Sequence, residues 1–228
     1  MAREIVLDTE TTGLNPLTGD RVVEIGCVEL INHLPTGSHF HKYINPECPV
    51  PAEAFAVHGL SDDFLRDKPV FAEIAGDFLD FVADGTLVIH NASFDLGFLN
   101  AELARLGLPA IPMARAIDTV KLARQKIPGA QVNLDALCRR FGIDNSNRTL
   151  HGALLDSQLL AEVYLELLGG RQRGLSLSAS EAERRAAARI QRVARPPRPH
   201  AASPEELAAH EELLKKLKNP LWLASEAT

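Results

Sequence analysis

The chain has 228 residues, 46% of them hydrophobic, and a net charge of −6. That is enough for one core of roughly 150–180 residues plus an appendage, and the negative balance gives no sign of a bulk nucleic-acid binder. Cys27, Cys48 and Cys138 show neither paired nor zinc-ligand spacing, no run approaches the roughly 20 apolar residues of a membrane span, and the first residues enter a strand without a leader pattern, so a soluble, cytoplasmic protein in a reducing compartment is expected.

The first elements read as strands: "REIVLDTE" (3–10), "RVVEIGCVEL" (21–30) and "GSHFHKYINP" (37–46), with turns in "GLNPLTGD" and "NHLPTG". Short links between neighbouring strands predict an antiparallel meander. Beyond residue 61 the period lengthens, with Phe71, Ile74, Phe78 and Phe81 at helical spacing. "TLVIHN" is a short apolar strand, and "SFDLGFLNAELARLG" a helix with Ser93 as its N-cap and Gly107 past its end. Two further helices, "NLDALCRRFG" and "GALLDSQLLAEVYLELLGG", complete an α/β domain with a mixed sheet over residues 1–170.

Composition then changes. Residues 171–200 hold eight Arg and two Glu, a local charge of +6, which leaves −12 for the rest of the chain. With Ala, Ser and Pro and few core formers, 171–202 reads as a flexible basic linker. Residues 203–228 open with Ser203 as N-cap, Pro204 at the first helical position and Glu206 completing a capping box. Leu207, Leu214, Leu217 and Leu221 fall close to one side of this helix. A single amphipathic helix cannot bury its stripe alone, so it needs a partner surface or must fold back on the domain.

The chemistry begins at "EIVLDTETTGL", where Asp8 and Glu10 share one face of a buried strand. Each resists ionising beside the other, so a cation between them or a retained proton is needed. Asp95 follows the strand "LVIHN", where α/β sheets build sites, and Asp156 lies near the apolar stripe of the last domain helix. Alone, Asp95 reads equally as a helix N-terminal charge and Asp156 as a surface acid. His151 precedes Asp156 by five residues, about 140° around an ideal helix, so the two converge only if His151 lies on the loop before it, which Gly152 permits.

"DTETTG", "HNASFDLGFLN" and "HGALLDS" resemble, in order and spacing over residues 3–168, the three motifs of the DEDD exonucleases in their histidine-containing branch. The segments "VHGLSDDFLRDKPVF" and "DTVKLARQKIPGAQVNLDALCRRFGI" are similar to those of the proofreading, epsilon-type subunits of bacterial replicative polymerases. The resemblance implies a ribonuclease-H-like fold and a 3′→5′ exonuclease that uses two divalent ions, Mg²⁺ or Mn²⁺. It implies Asp8, Glu10 and Asp156 around the first ion, Asp8 bridging to the second, and Asp95 acting mainly through water. His151 would be the general base, a role that suits an imidazole.

The remaining site residues follow from the same likeness. Thr11, Thr12 and Gly13 would approach the terminal nucleotide of a single-stranded or frayed 3′ end of DNA. Leu14, Val57 and His58 would form an apolar wall against the last bases. Asn91 and Phe94 are expected to shape the pocket, while His33, His39, His41 and His90 fit no motif position and read as structural or superficial. "QRGLSL", with Gln172, Leu175 and Leu177, resembles the peptide that binds sliding clamps, and Leu214, Leu217 and Trp222 would dock on the polymerase catalytic subunit. Such a tether suits an acidic domain that grips phosphates weakly. The rivals are an RNA-trimming exoribonuclease of the same branch and a non-catalytic linker between clamp and polymerase; the second has no need of a complete motif set.

Overall fold

In the computed structural model, residues 2–146, 148, 150–170 and 201–218 are described. The chain divides into two compact units at Leu175/Ser176. In the first, β1 (Arg3–Thr11), β2 (Val22–Ile31), β3 (Leu34–Tyr43), β4 (Thr86–Ile89) and β5 (Ala116–Asp118) form one sheet in the order β3-β2-β1-β4-β5. β1, β2 and β3 pair antiparallel, as their short links predict, whereas β4 and β5 run parallel to β1. The fold is the mixed, ribonuclease-H-like sheet expected from the sequence.

Ile5, Val6 and Leu7 are fully buried because both faces of β1 are covered. Ile5, Leu7 and Ile89 pack with α3 (Phe71–Val82) and α4 (Ala92–Arg105) on one face. Val6 and Val88 pack with α6 (Leu134–Phe141) and α7 (Ala153–Leu167) on the other. Phe71, Ile74 and Phe78 are buried at the spacing that marks α3.

Several local features differ from expectation. The β2–β3 reversal is confined to Asn32 and His33, at φ 51° and 70°, the two-residue turn whose left-handed pair matches strand twist. Strand β3 therefore starts at Leu34, with Pro35 tolerated on an edge strand. Ser93, expected as the cap of α4, lies inside its first turn; Asn91 is the N-cap at φ 72° and ψ 58°, since asparagine accepts the left-handed bend. Ser93 instead donates its hydroxyl hydrogen to Asn91 Oδ1 at 3.2 Å. Gly107 closes the helix end as expected, its N–H reaching Ala104 O at 3.1 Å. Three elements had no expectation attached: α1 (Ala52–His58), α5 (Thr119–Lys126) and β5; α2 (Asp62–Leu65) is a single turn.

In the second unit α8 (Pro204–Lys216) carries the expected capping box, Glu206 N–H to Ser203 Oγ at 3.2 Å and Ser203 N–H to Glu206 Oε2 at 2.8 Å. None of its residues is buried. Among the described residues no helix is long and apolar enough to cross a membrane.

One contact sets the seating of α7. A Cβ on Gly26 of β2 would stand 2.2 Å from the Ala153 carbonyl carbon, so only glycine lets the start of α7 rest on the strand backbone. Ser157 secures it by donating to Gly26 O at 2.9 Å. Gly26→Ala should therefore cost about 1–3 kcal/mol by overpacking, read as a lower urea midpoint. A midpoint equal to wild type would show that α7 does not depend on this approach.

Candidate active site

Asp8 and Glu10 lie on the same side of β1 as Val6, the side covered by α7. With α7 seated on Gly26, Asp156 in its first turn is only 3% exposed and meets them. Asp95 arrives from α4 on the opposite side. Thr9 reaches it there with both its N–H and its hydroxyl, at 3.1 and 2.8 Å from Asp95 Oδ1. His151 does lie on the segment before α7, with Nδ1 3.8 Å from Asp156 Oδ2. Gly152 plays no special part in that convergence: at φ −158° its backbone is extended, as any residue could be. All five residues line one cavity of about 280 Å³ at the carboxyl end of β1.

Burial and neighbouring carboxylates hold protons on Asp8, Glu10 and Asp95. Asp8 is raised well above the usual carboxylate range by burial, then by Asp95, Glu10 and Asp156. Glu10 is pushed up to about 8 by burial, then by Asp156, Glu24 and Asp95. Asp95 is pushed to about 7 by burial, against the Thr9 hydrogen bonds. Glu24 stands directly opposite Glu10 across the β1–β2 ladder, a like-charge pairing that His41 relieves by sitting 2.7 Å from Glu24 Oε1. Donor atoms of Glu10, His151 and Asp156 lie within 4.8 Å of one another, close enough to share a cation. Carboxylate oxygens gathered in a buried, proton-holding cluster are the donors that hard divalent ions take.

Residues without an assigned role complete the cavity: Arg148, Asp135, Asn133 and His90. His90, expected to be structural or superficial, is in the wall, with Nδ1 2.9 Å from Thr119 Oγ1. His33 and His41 are structural as expected, paired with Glu4 and Glu24. A lone arginine three residues before His151 carries the one signal that could have flagged Arg148: a positive charge beside an acidic motif. It contacts Asp156, Asp135 and His151. Burial and Arg148 together lower the pKa of His151, opposed by Asp156 and Asp135.

A second cavity of about 490 Å³ adjoins the first, and Phe94 lines both. Its wall includes Thr11, Thr12, Gly13, Leu14, Val57 and His58, the whole expected nucleotide-contacting set. Leu14 and Val57 present exposed apolar surface there, 84% and 44% accessible, while His58 is buried. Thr12 Oγ1 accepts the Arg21 N–H at 2.9 Å, and a Cβ on Gly13 would collide with Asp20. Asn91 lines neither cavity; its contribution is the backbone turn before α4. Leu214 and Leu217 lie on or just after α8, whereas Gln172, Leu175, Leu177 and Trp222 fall outside the described residues.

Comparison with known proteins gives the same grouping. A family profile described as RNase_T, exonuclease, matches residues 5–164. A Salmonella typhimurium protein named DNA polymerase III subunit epsilon is 48% identical over 239 residues, spanning 98% of each chain. The Escherichia coli protein of that name is 45% identical with the same coverage. The Rickettsia prowazekii one is 58% identical over 173 residues, 75% of this chain and 76% of that one. Among solved structures, exonuclease X in complex with 5′ overhanging duplex DNA superposes with a TM-score of 0.57 at 27% identity, covering 72% of this chain and 90% of that one. The nuclease domain of 3′hExo, a DEDDh family member bound to rAMP, reaches a TM-score of 0.64 at 22% identity over 73% of this chain and 91% of that one, a likeness of fold. The chain belongs to the RNase_T exonuclease family, in the group of the DNA polymerase III epsilon subunits.

Proposed function

We propose that Asp8, Glu10, Asp95 and Asp156 hold two divalent ions, Mg²⁺ or Mn²⁺, and that His151 is the general base of the hydrolysis. The chain is a metal-dependent 3′→5′ DNA exonuclease of the proofreading kind. The observation that carries the residue assignment is the convergence of all five side chains on one cavity beside a partly apolar one. When bound, the ions supply charge neutralisation and an activated water for phosphodiester cleavage.

The protein's own groups do the rest. The terminal nucleotide of a frayed or single-stranded 3′ end enters the larger cavity, where Leu14 and Val57 pack against base faces. Thr11, Thr12 and Gly13 keep the floor narrow beside the sugar, and His58 backs that wall. Phe94, shared by both cavities, places the scissile phosphate against the acids. His151, whose pKa is lowered first of all by burial, accepts the proton of the attacking water. Water oxygen joins phosphorus, the 3′-oxygen of the preceding nucleotide leaves and is protonated, and a 5′-mononucleotide departs.

Residues 1–170 form the nuclease, 171–202 the basic linker and 203–228 the docking segment that includes α8. The Salmonella and E. coli relatives align along 98% of the chain, tail included, which supports a tail with a shared task. Leu214, Leu217 and Trp222 would bind the polymerase catalytic subunit, and Gln172, Leu175 and Leu177 a sliding clamp. The setting is the bacterial cytoplasm.

Removing a ligand should separate chemistry from folding. Asp8→Ala should abolish 3′→5′ digestion of single-stranded DNA yet keep or raise metal-free stability, since a repulsive buried acid is gone. His151→Ala should lose about 10²–10⁴-fold in rate with metal binding largely kept. Collapse of metal affinity in His151→Ala would make the histidine a ligand instead.

The acids also set a pH dependence. Glu10 at about 8 and Asp95 at about 7 lie above the usual values of 4.5 and 3.8, so the folded metal-free protein holds protons that the unfolded chain releases. Their contribution to stability is fully present below the ordinary carboxylate range and is lost as pH rises through 7 to 8. In EDTA, Tm should fall between about pH 6 and about pH 9, while the Tm gain on adding Mg²⁺ should grow over the same range. A metal-induced gain that shrank with pH would remove the acids as the binding groups.

For the tail, a 1–170 protein should digest short single strands as the full chain does but fail to co-elute with the polymerase catalytic subunit on size exclusion. Equal binding by the truncated protein would place the contact on the nuclease domain.

A further inference from the structure

Within the acid cavity one cation is built into the chain. Arg148 has a side chain only 7% exposed, and every nitrogen of its guanidinium is engaged. Nε donates to Asp156 Oδ1, and Nη2 to Asp156 Oδ2 at 2.7 Å, a two-pronged grip on one carboxylate. Nη1 donates to Asp135 Oδ1 at 3.0 Å. Nη2 also lies 3.0 Å from His151 Nδ1. Arginine has donors only, so the imidazole nitrogen must accept there. Two members of the trio that could share a cation, Asp156 and His151, are thus already bound to a positive group.

We propose that Arg148 is the resident counter-cation of the metal-free site, and that a divalent ion displaces it from Asp156 and thereby frees His151 Nδ1. The inference rests on the metal reading given above. A dication on the Asp156 oxygens and a buried guanidinium on the same oxygens repel each other, and the acids cannot screen both from so short a range. Arg148 also has somewhere to go. It lies on the segment joining α6 to α7, whose described links to the domain include Asn145 Nδ2 to Asp135 at 2.9 Å, His151 N–H to Val57 O at 3.1 Å, and the guanidinium itself. Asp135, half exposed at the cavity edge, remains as its partner when Asp156 is taken.

The arrangement makes the base conditional. While Arg148 holds Asp156, the histidine nitrogen nearest the acids has its lone pair committed and cannot take a proton there. Entry of the ion withdraws the arginine and returns that lone pair, so His151 becomes available only in a loaded site. Arg148 is in this sense a positioning residue: it acts through Asp156 and His151, with no contact to substrate required.

The test uses the full-length protein and reads the arginine directly. In ¹⁵N-arginine-labelled protein with EDTA, the Arg148 Nε–H should give a shifted, slowly exchanging signal, identified by its loss in Arg148→Lys. Adding Mg²⁺ should move that signal to the position of an exposed arginine. Titration with Mn²⁺ followed by electron paramagnetic resonance should show roughly tenfold or tighter binding in Arg148→Ala, as expected when a charged competitor for the same carboxylate is removed. Arg148→Ala should also show a lower Tm in EDTA, because it strands Asp156 without its partner, and a larger gain on adding Mg²⁺. A signal unmoved at saturating Mg²⁺, or unchanged or weaker Mn²⁺ binding in Arg148→Ala, would make Arg148 a fixed support of Asp156 and overturn the proposal. The signal in wild type decides even if the alanine variant does not fold. Failure of wild type to bind Mg²⁺ or Mn²⁺ at all would instead overturn the metal assignment and, with it, this inference.

Discussion

Several carboxyl groups packed at the buried end of one strand cannot all ionise without a positive partner, and the site is organised around that constraint. Asp8, Glu10, Asp95 and Asp156 meet where β1 ends, with Glu24 opposite Glu10 on the next strand. The fold answers each charge differently. Glu24 has His41, Asp95 has two donors from Thr9, and Asp156 has the fork of Arg148. Among the described residues no side chain pairs with Asp8 or Glu10 in this way, and they are raised most clearly into a proton-holding state. The cluster is therefore poised for a cation, with the least compensated acids on the central strand.

Rigidity is what the surrounding fold contributes. β1 is the middle strand, paired antiparallel to β2 and parallel to β4, so its carboxyl end is a place where strand direction and layer both change. Asp95 and Asp156 come from helices on opposite faces of the sheet, and each is in a first helical turn. A carboxylate there is favoured by the helix dipole, which offsets part of the cost of gathering acids. The approach of α7 at Gly26 then fixes the spacing between Asp156 and the two strand acids.

How much of this could be read in advance depended on the kind of signal. Regular periodicity located β1, β2, α3 and α7, and the paired acids of β1 announced themselves because alternation fixes which side chains share a face. Asp95, Asp156 and His151 were recognisable through motif order rather than through local physics, since each alone also fits a surface role. Short elements were not legible: β5 has three residues, and α1 follows Pro49 and Pro51, which read as loop. Arg148 and His90 escaped because their importance is tertiary. Neither spacing nor propensity says that a lone arginine in "NSNRTLHG" folds inward onto Asp156, or that His90 turns toward the acids rather than to solvent. The Ser93 cap failed for a different reason: a left-handed Asn91 starts α4 earlier than hydroxyl preference alone suggests.

The two cavities are linked through backbone as well as through their shared Phe94 wall. Val57 offers its side chain to the larger cavity, while its carbonyl oxygen accepts the N–H of His151 at 3.1 Å. Leu150, next to that histidine, packs its side chain against Gly59, the left-handed glycine that ends α1. A base packed against Val57 would thus press on the element that positions His151, and through it on the segment bearing Arg148. If His151 is the base proposed above, such a connection would let the fit of the terminal base bear on it.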